Sequence, residues 1–225
     1  MLTWRIKADK KKFSEYEHTI HTPEAPIHER LNAMLALRSI GTIEAVEALI
    51  MAFEYEVQSN MLKHEICYCL GQMDLPKKHQ ARVLSFLEKV VQDTAHSDFV
   101  RHEAIEALED ISEEVSLKVL ESLKEQQTGI LYETYYLKKK QVEWQKATDH
   151  GKTEGINLKA SLYDCDPAPW YNYKADTKYA DVGFLQRILL NNDIFERYRA
   201  LYTLRELNTE ESLIAICQCY MEAHL

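Results

Sequence analysis

The sequence predicts an all-α fold built from stacked antiparallel helix pairs, the architecture of an α-helical repeat solenoid. Residues that interrupt helices are scarce, with 6 Gly and 5 Pro among 225 residues. Apolar residues recur three and four positions apart, for example between residues 31 and 37 and between residues 83 and 91, which is the spacing of one helix face. One motif also returns after 38 residues (102 − 64), a period typical of helical repeats.

The predicted helices follow one another in pairs after a polar lead-in. The lead-in covers residues 1–26, has room for one short helix and closes with two prolines. The pairs are expected near 28–39 and 42–55, 61–73 and 78–92, and 98–110 and 113–125, with a fourth helix near 129–146. Gly41 suits the C-terminal cap of the first of these helices, and Ser97 and Ser112 suit N-terminal caps.

The same pattern predicts two unequal parts joined by a linker. Residues 27–146 form the first repeat half. The helical periodicity lapses over 147–180, where Gly, Pro and aromatic residues accumulate, so this stretch is predicted to be a linker. Residues 181–225 start a second half, because 194–205 repeat the pattern of 27–38 at an offset of 167 (197 − 30).

Composition and charge narrow the class of function. No apolar run approaches the roughly 20 residues of a membrane span, and the charged N-terminus lacks the apolar region of a signal peptide, so we expect a soluble, cytoplasmic protein that binds no membrane. The net charge of −9 (27 basic, 36 acidic) disfavours nucleic acid and favours a cationic partner. For any single carboxylate, a solvated helix face is the simpler explanation.

The five cysteines include two Cys-x-Cys pairs, at 67 and 69 and at 217 and 219. Both pairs fall on predicted helices, where residues two apart point about 200° away from each other. We therefore expect reduced thiols in the core rather than chelation of a metal within one pair.

The repeated motif is the strongest indication of chemistry. Lys63-His64-Glu65 and Arg101-His102-Glu103 occupy the same register in successive repeats. A single His-Glu pair is usually a solvated first turn, where glutamate suits the positive end of the helix dipole. The equivalent slots of two other helices hold Leu31-Asn32 and Tyr198-Arg199, so packing does not require His-Glu. His28-Glu29 lies one turn out of register and is interpreted as a surface pair away from the other two.

Imidazoles and carboxylates on successive repeats reach the same edge of a helical stack and can share a metal ion. Neighbouring helices lie about 8–10 Å apart, which predicts that the nearest ring nitrogens of His64 and His102 approach to about 3–4.5 Å as ligands of one ion. With Glu103 they would form a two-histidine, one-carboxylate set that leaves coordination positions open. We interpret the motifs as half of a non-haem iron site.

Four motifs in this order resemble those of deoxyhypusine hydroxylase, a HEAT-repeat non-haem di-iron monooxygenase. They are Lys63–Met73, Phe99–Leu108, Asp166–Pro169 and Phe195–Ala200. The similarity covers about residues 27–222. It implies a HEAT-like solenoid in which four His-Glu motifs, two from each half, surround the irons and the substrate.

The resemblance also implies roles for individual residues. His64, His102 and Glu103 correspond to metal ligands, and Glu65 to a residue that binds the cationic substrate side chain or adds a ligand. The family's other two motifs are expected beyond Leu225. The implied cofactor is iron, the co-substrate is molecular oxygen, and the implied substrate is the deoxyhypusine side chain of the hypusine-carrying translation factor.

Two functions of different classes follow. The leading hypothesis is a deoxyhypusine hydroxylase, either as a partial polypeptide or as a protomer that completes its site by self-association. The alternative is a non-catalytic HEAT-repeat scaffold that binds the same translation factor or another protein. A phycobilin-lyase-like function is disfavoured by the Asp166–Pro169 match and by both metal motifs.

The helix predicted near 209–222 should leave part of its surface uncovered, because no following repeat packs on it. Its expected apolar face comprises Leu213, Ile214, Ile216 and Cys217. Uncovered ends of helical arrays are poorly soluble, so the protein is expected to self-associate or aggregate.

Overall fold

The computed structural model describes residues 10–123, 129–147 and 168–222, which form helices and no β-strand. The α-helices are α1 Lys10–Ile20, α2 Ile27–Ile40, α3 Ile43–Tyr55, α4 Asn60–Gly71, α5 Lys77–Gln92, α6 Asp98–Ile111, α7 Glu113–Ser122, α8 Gly129–Ala147, α9 Val182–Leu189, α10 Ile194–Leu207 and α11 Glu210–Glu222. A 3₁₀ turn, Thr177–Ala180, precedes α9. The all-α prediction is confirmed, and the predicted helix pairs agree with α2–α7 to within a few residues. No helix in these ranges is long and apolar enough to cross a bilayer.

Local sequence signals explain several helix ends. Gly41 has φ +64°, and its N–H donates to the carbonyl of Leu37, so this residue ends α2 in a left-handed conformation that glycine adopts without steric cost. The Ser112 hydroxyl accepts from the N–H of Val115 at the start of α7. Both predicted caps are confirmed. Ser97 precedes α6 as expected, but its hydroxyl makes no cap hydrogen bond.

The chain divides into two compact units, Met1–Tyr132 and Glu133–Leu225. The division lies inside α8, whereas the sequence prediction ended the first half at residue 146. In the predicted linker, Ala168 and Tyr171 are buried, so its described C-terminal part belongs to a packed core. Asp166, Pro167 and the rest of 148–167 lie outside the described residues.

In the first unit, the two helices that carry the repeated motif pack closely against each other. Ile66 and Leu70 of α4 and Ile105 of α6 are fully buried. At the end of α4, a Cβ added to Gly71 would lie only 2.8 Å from the Cα of Ala107. Glycine at this position therefore allows α4 and α6 to approach each other.

The second unit is organised around α9, α10 and α11. Leu185, Ala200 and Leu204 form the centre of its core. The Nε of Arg199 donates to the carbonyl of Pro169 at 3.1 Å, and its guanidinium lies 4.1 Å from the ring centroid of Tyr171. These contacts join the end of the predicted linker to α10.

Helices α10 and α11 repeat α2 and α3 at the predicted offset of 167 (194 − 27, 207 − 40, 210 − 43 and 222 − 55). Their caps also agree, because Asn208 is left-handed with φ 50° and donates to the carbonyl of Leu204, as Gly41 does to Leu37. Within the second unit, Tyr220 is 66% exposed, although Phe53 at the equivalent position of α3 is buried.

The predicted uncovered face of α11 is confirmed for three of its four residues. Leu213, Ile214 and Cys217 are exposed. Ile216 was placed wrongly, since it packs against the core cluster that contains Leu204 and Ala215. A helix face that carries Ala215 inward also turns its neighbour Ile216 partly toward the core.

The described cysteines are free. Cys67 and Cys69 are buried, and burial raises the pKa of both thiols, that of Cys69 to about 12. These two are unreactive core thiols, as expected. Cys217 is exposed rather than buried, and Cys165 lies outside the described residues.

Candidate metal centre

Helices α4 and α6 carry the repeated motif in the same register. Each histidine lies four residues after the first residue of its helix, since His64 follows Asn60 and His102 follows Asp98. The Ser59 hydroxyl accepts from the N–H of Leu62 and fixes the start of α4. Matched registers on two packed helices bring both histidines to one edge, as the sequence predicted.

The structure gathers three potential ligands at this edge. His64, His102 and Glu103 each offer one ligand atom, and these atoms lie within 4.8 Å of one another. The Nε2 of His64 is 3.0 Å from the Oε2 of Glu103, and the two imidazole centroids are 5.4 Å apart. The side chains are mostly buried, with 16%, 14% and 8% of their surface exposed.

The charge of His64 is controlled by two carboxylates. Its Nε2 faces Glu103, and its Nδ1 lies 3.2 Å from the Oε1 of Glu65. Burial alone lowers the pKa of His64, but the hydrogen bonds and the charges of Glu103 and Glu65 together outweigh burial and raise the pKa above its ordinary value. A metal ion bound at Nε2 would therefore replace a firmly held proton.

Two neighbours of the histidines were missed in the sequence analysis. The ring of Phe99 stacks on His64 with centroids 4.2 Å apart and planes 11° from parallel. Glu106 lies beside His102, with Oε1 3.4 Å from Nδ1. Their spacings from His102, three residues before and four after, place them on the same helix face and are the sequence signal that could have identified them.

The remaining sequence candidates lie outside the three-residue group. Glu65 is a neighbour of His64 rather than one of the converging ligands. His28 and Glu29 are 74% and 55% exposed and lie 4.0 Å from each other, so they form a surface pair as predicted.

The donor set fits a non-haem iron ion. Two imidazoles and one carboxylate are the ligands of the facial triad that iron(II) oxygenases use, and this set leaves positions open for other ligands. Partial burial lowers the local dielectric and strengthens binding of a cation by Glu103.

The comparisons with known proteins agree with the fold and the site. The family model described as PBS lyase HEAT-like repeat matches residues 29–55. The chain is 37% identical over 201 residues to a deoxyhypusine hydroxylase of Drosophila melanogaster, with 88% of this chain and 61% of that protein covered. It is 34% identical over 202 residues to the Homo sapiens protein of the same name, with 89% and 61% covered.

A solved structure gives the same result. The structure of human deoxyhypusine hydroxylase in complex with glycerol matches with a TM-score of 0.71 and 32% sequence identity, over 93% of this chain and 67% of that chain. The chain thus spans about six tenths of the length of the curated relatives that it matches.

Proposed function

Because the chain belongs to the deoxyhypusine hydroxylase family, we propose that it carries half of an iron-dependent site that hydroxylates the deoxyhypusine side chain of the hypusine-carrying translation factor, with molecular oxygen as co-substrate. The single observation that carries this proposal is the convergence of His64, His102 and Glu103 within 4.8 Å. The packing of helical repeats does not require such a group.

The residues have separate roles in the proposed site. His64, His102 and Glu103 hold the metal ion, which supplies oxygen activation for the insertion of one oxygen atom into a C–H bond. Glu65 binds the ammonium groups of the substrate side chain and orients that chain toward the ligands. Glu65 suits this role because it is about one third exposed and lies next to His64.

The proposed protein substrate also fits the charge of the chain. A deoxyhypusine side chain is a polyamine cation, and a net charge of −9 favours its approach through long-range attraction. We propose a cytoplasmic location, since free thiols such as Cys67 and Cys69 are typical of reducing compartments.

The other half of the proposed site requires ligands from outside the described residues. We propose that the exposed face of α11, which includes Leu213 and Ile214, mediates self-association or contact with further repeats. A non-catalytic scaffold is the less well supported function, because it gives no reason for three ligand side chains to converge.

Iron content tests the proposal. Protein reconstituted with Fe²⁺ under anaerobic conditions should retain iron after desalting, and its mass in solution should be measured in the same sample. His102→Ala should abolish bound iron and leave the far-ultraviolet circular dichroism nearly unchanged, because this side chain lies at the edge of the core. His28→Ala is the matched control, since it removes a histidine from an exposed His-Glu pair.

Two results would contradict the proposal. One is wild-type protein that retains no iron after reconstitution. The other is a His102→Ala variant that keeps full iron occupancy. Incubation with deoxyhypusine-containing translation factor, followed by mass spectrometry for one added oxygen atom, then tests the activity itself.

A further inference from the structure

The two histidines of the candidate centre contact carboxylates through Nδ1 in different ways. His64 Nδ1 lies 3.2 Å from Glu65, the next residue in the chain. His102 Nδ1 lies 3.4 Å from Glu106, one helical turn later. A carboxylate therefore faces the Nδ1 of each histidine.

Helix packing does not explain the carboxylate at position 106. The equivalent position in α4 is Tyr68 (106 − 38), and α4 packs well with a tyrosine there. The Glu106 side chain is 55% exposed, so it contributes little to the core. Its distinguishing contact in the structure is the one with His102.

His102 Nδ1 needs a hydrogen-bond partner. This atom is buried, and among the described residues it has no hydrogen bond with standard geometry. The Glu106 oxygen at 3.4 Å is slightly beyond the usual 2.7–3.2 Å range. Because the Glu106 side chain is exposed and flexible, a small rotation brings its oxygen into range.

We propose that Glu106 is the positioning residue of His102. Its carboxylate accepts the Nδ1–H of the neutral imidazole, so the proton stays on Nδ1 and the lone pair of Nε2 is available to a metal ion. This inference rests on the proposed metal site. Partners of this kind fix the tautomer and the ring orientation, and their removal typically weakens metal binding by about 10–100-fold.

An ordinary i, i+4 pair on a helix surface makes a different prediction. Such a pair stabilises a helix by only about 0.3–0.5 kcal/mol and has no effect on which ring nitrogen carries the proton. Metal affinity and the tautomer of His102 therefore distinguish positioning from a merely structural contact.

The experiment uses the full chain and Co²⁺ as the probe. Glu106→Ala should weaken Co²⁺ affinity by about 10–100-fold, and Glu106→Gln, which keeps an oxygen acceptor, should lie between this variant and the wild type. Glu109→Ala is the matched control, because it removes the same charge from the same helix, and should stay within about 2-fold of the wild type.

A second measurement needs no metal. In ¹⁵N-labelled wild-type protein, neutral His102 should show the Nδ1–H tautomer, and Glu106→Ala should shift the population toward Nε2–H. A Glu106→Ala variant with wild-type affinity and an unchanged tautomer overturns the inference. Wild-type protein that binds no metal overturns the proposed function, whereas the tautomer, measured without metal, still decides the role of Glu106.

Discussion

Replacing Gly71 by alanine should separate α4 from α6 and disturb the candidate metal centre. The new Cβ would lie 2.8 Å from the Cα of Ala107 and 2.9 Å from its Cβ. Ordinary van der Waals contact begins at 3.4 Å, so the helices must move apart by at least 0.6 Å (3.4 − 2.8). The obstacle includes backbone, which cannot rotate out of the way.

The expected magnitude follows from two opposing effects. Overpacking at a closely packed contact costs about 1–3 kcal/mol, and the higher helix propensity of alanine returns at most about 1 kcal/mol. The net loss of unfolding free energy is about 1–2 kcal/mol, which lowers the melting temperature by roughly 3–8 °C. A shift of 0.6 Å also exceeds the ±0.2 Å or so within which metal–ligand distances must fall, so metal affinity should decrease as well.

Thermal denaturation and metal titration measure these two effects separately. Gly183→Ala, in α9 of the second unit, is the control, because its Cβ would meet only the side chains of Asp181 and Arg187. Adding Ala107→Gly to Gly71→Ala should restore part of the loss, since it removes one of the two close contacts. A Gly71→Ala variant that melts at or above the wild-type temperature and binds metal equally well would refute the reasoning.

Three further changes test separate contacts. Glu56→Gln breaks a buried ion pair, in which Glu56 Oε2 lies 2.6 Å from Arg30 Nη2, and should lower the unfolding free energy by about 3 kcal/mol in denaturant titrations at neutral pH. Burial raises the pKa of Glu56, but two backbone N–H donors and Arg30 outweigh burial and hold the pKa below its ordinary value; the wild-type advantage should therefore be complete at neutral pH and be lost as the pH falls through this pKa, and an advantage that persists into strong acid would be inconsistent with this account. Phe99→Ala removes the ring stacked on His64 and should weaken metal binding by about 2- to 10-fold in calorimetric titrations, whereas Phe99→Tyr should not; equal affinities of all three proteins would argue against the stack. Leu213→Asp should reduce self-association in sedimentation velocity, and a wild-type protein that is monomeric at all concentrations would rule out the proposed contact.

Much of the fold could be predicted because it depends on local patterns. The 3.6-residue periodicity located the helices, and Gly41 marked the end of one. The matched registers of His64 and His102 also carried the main geometric result, since residues at equal positions of packed repeats reach the same edge.

The remaining features depend on tertiary packing. The sequence alignment placed Arg197 in the position of Arg30, yet the buried arginine of α10 is Arg199 and Arg197 is exposed. Each buried guanidinium donates to a carbonyl from a preceding segment, Ile20 for Arg30 and Pro169 for Arg199. The position of such a carbonyl depends on how the chain enters the helix, which periodicity does not encode.

The contacts of Phe99 and Glu106 were missed for a related reason. A sequence gives the helix face on which a side chain lies, but the rotamer that stacks Phe99 on His64 is selected by the neighbouring helix. Gly71 is similar, because its significance depends on Ala107, 36 residues later (107 − 71).

All three candidate ligands lie on α4 and α6, within one of the two compact units. An ion held by them would join positions 38 residues apart and act as a removable cross-link between adjacent repeats. By mass action, free metal at 100 times its dissociation constant stabilises the unit that binds it by about 2.7 kcal/mol. The supply of metal would then set the lifetime of the first unit against unfolding and proteolysis, while the second unit, without these ligands, would depend on its own packing alone.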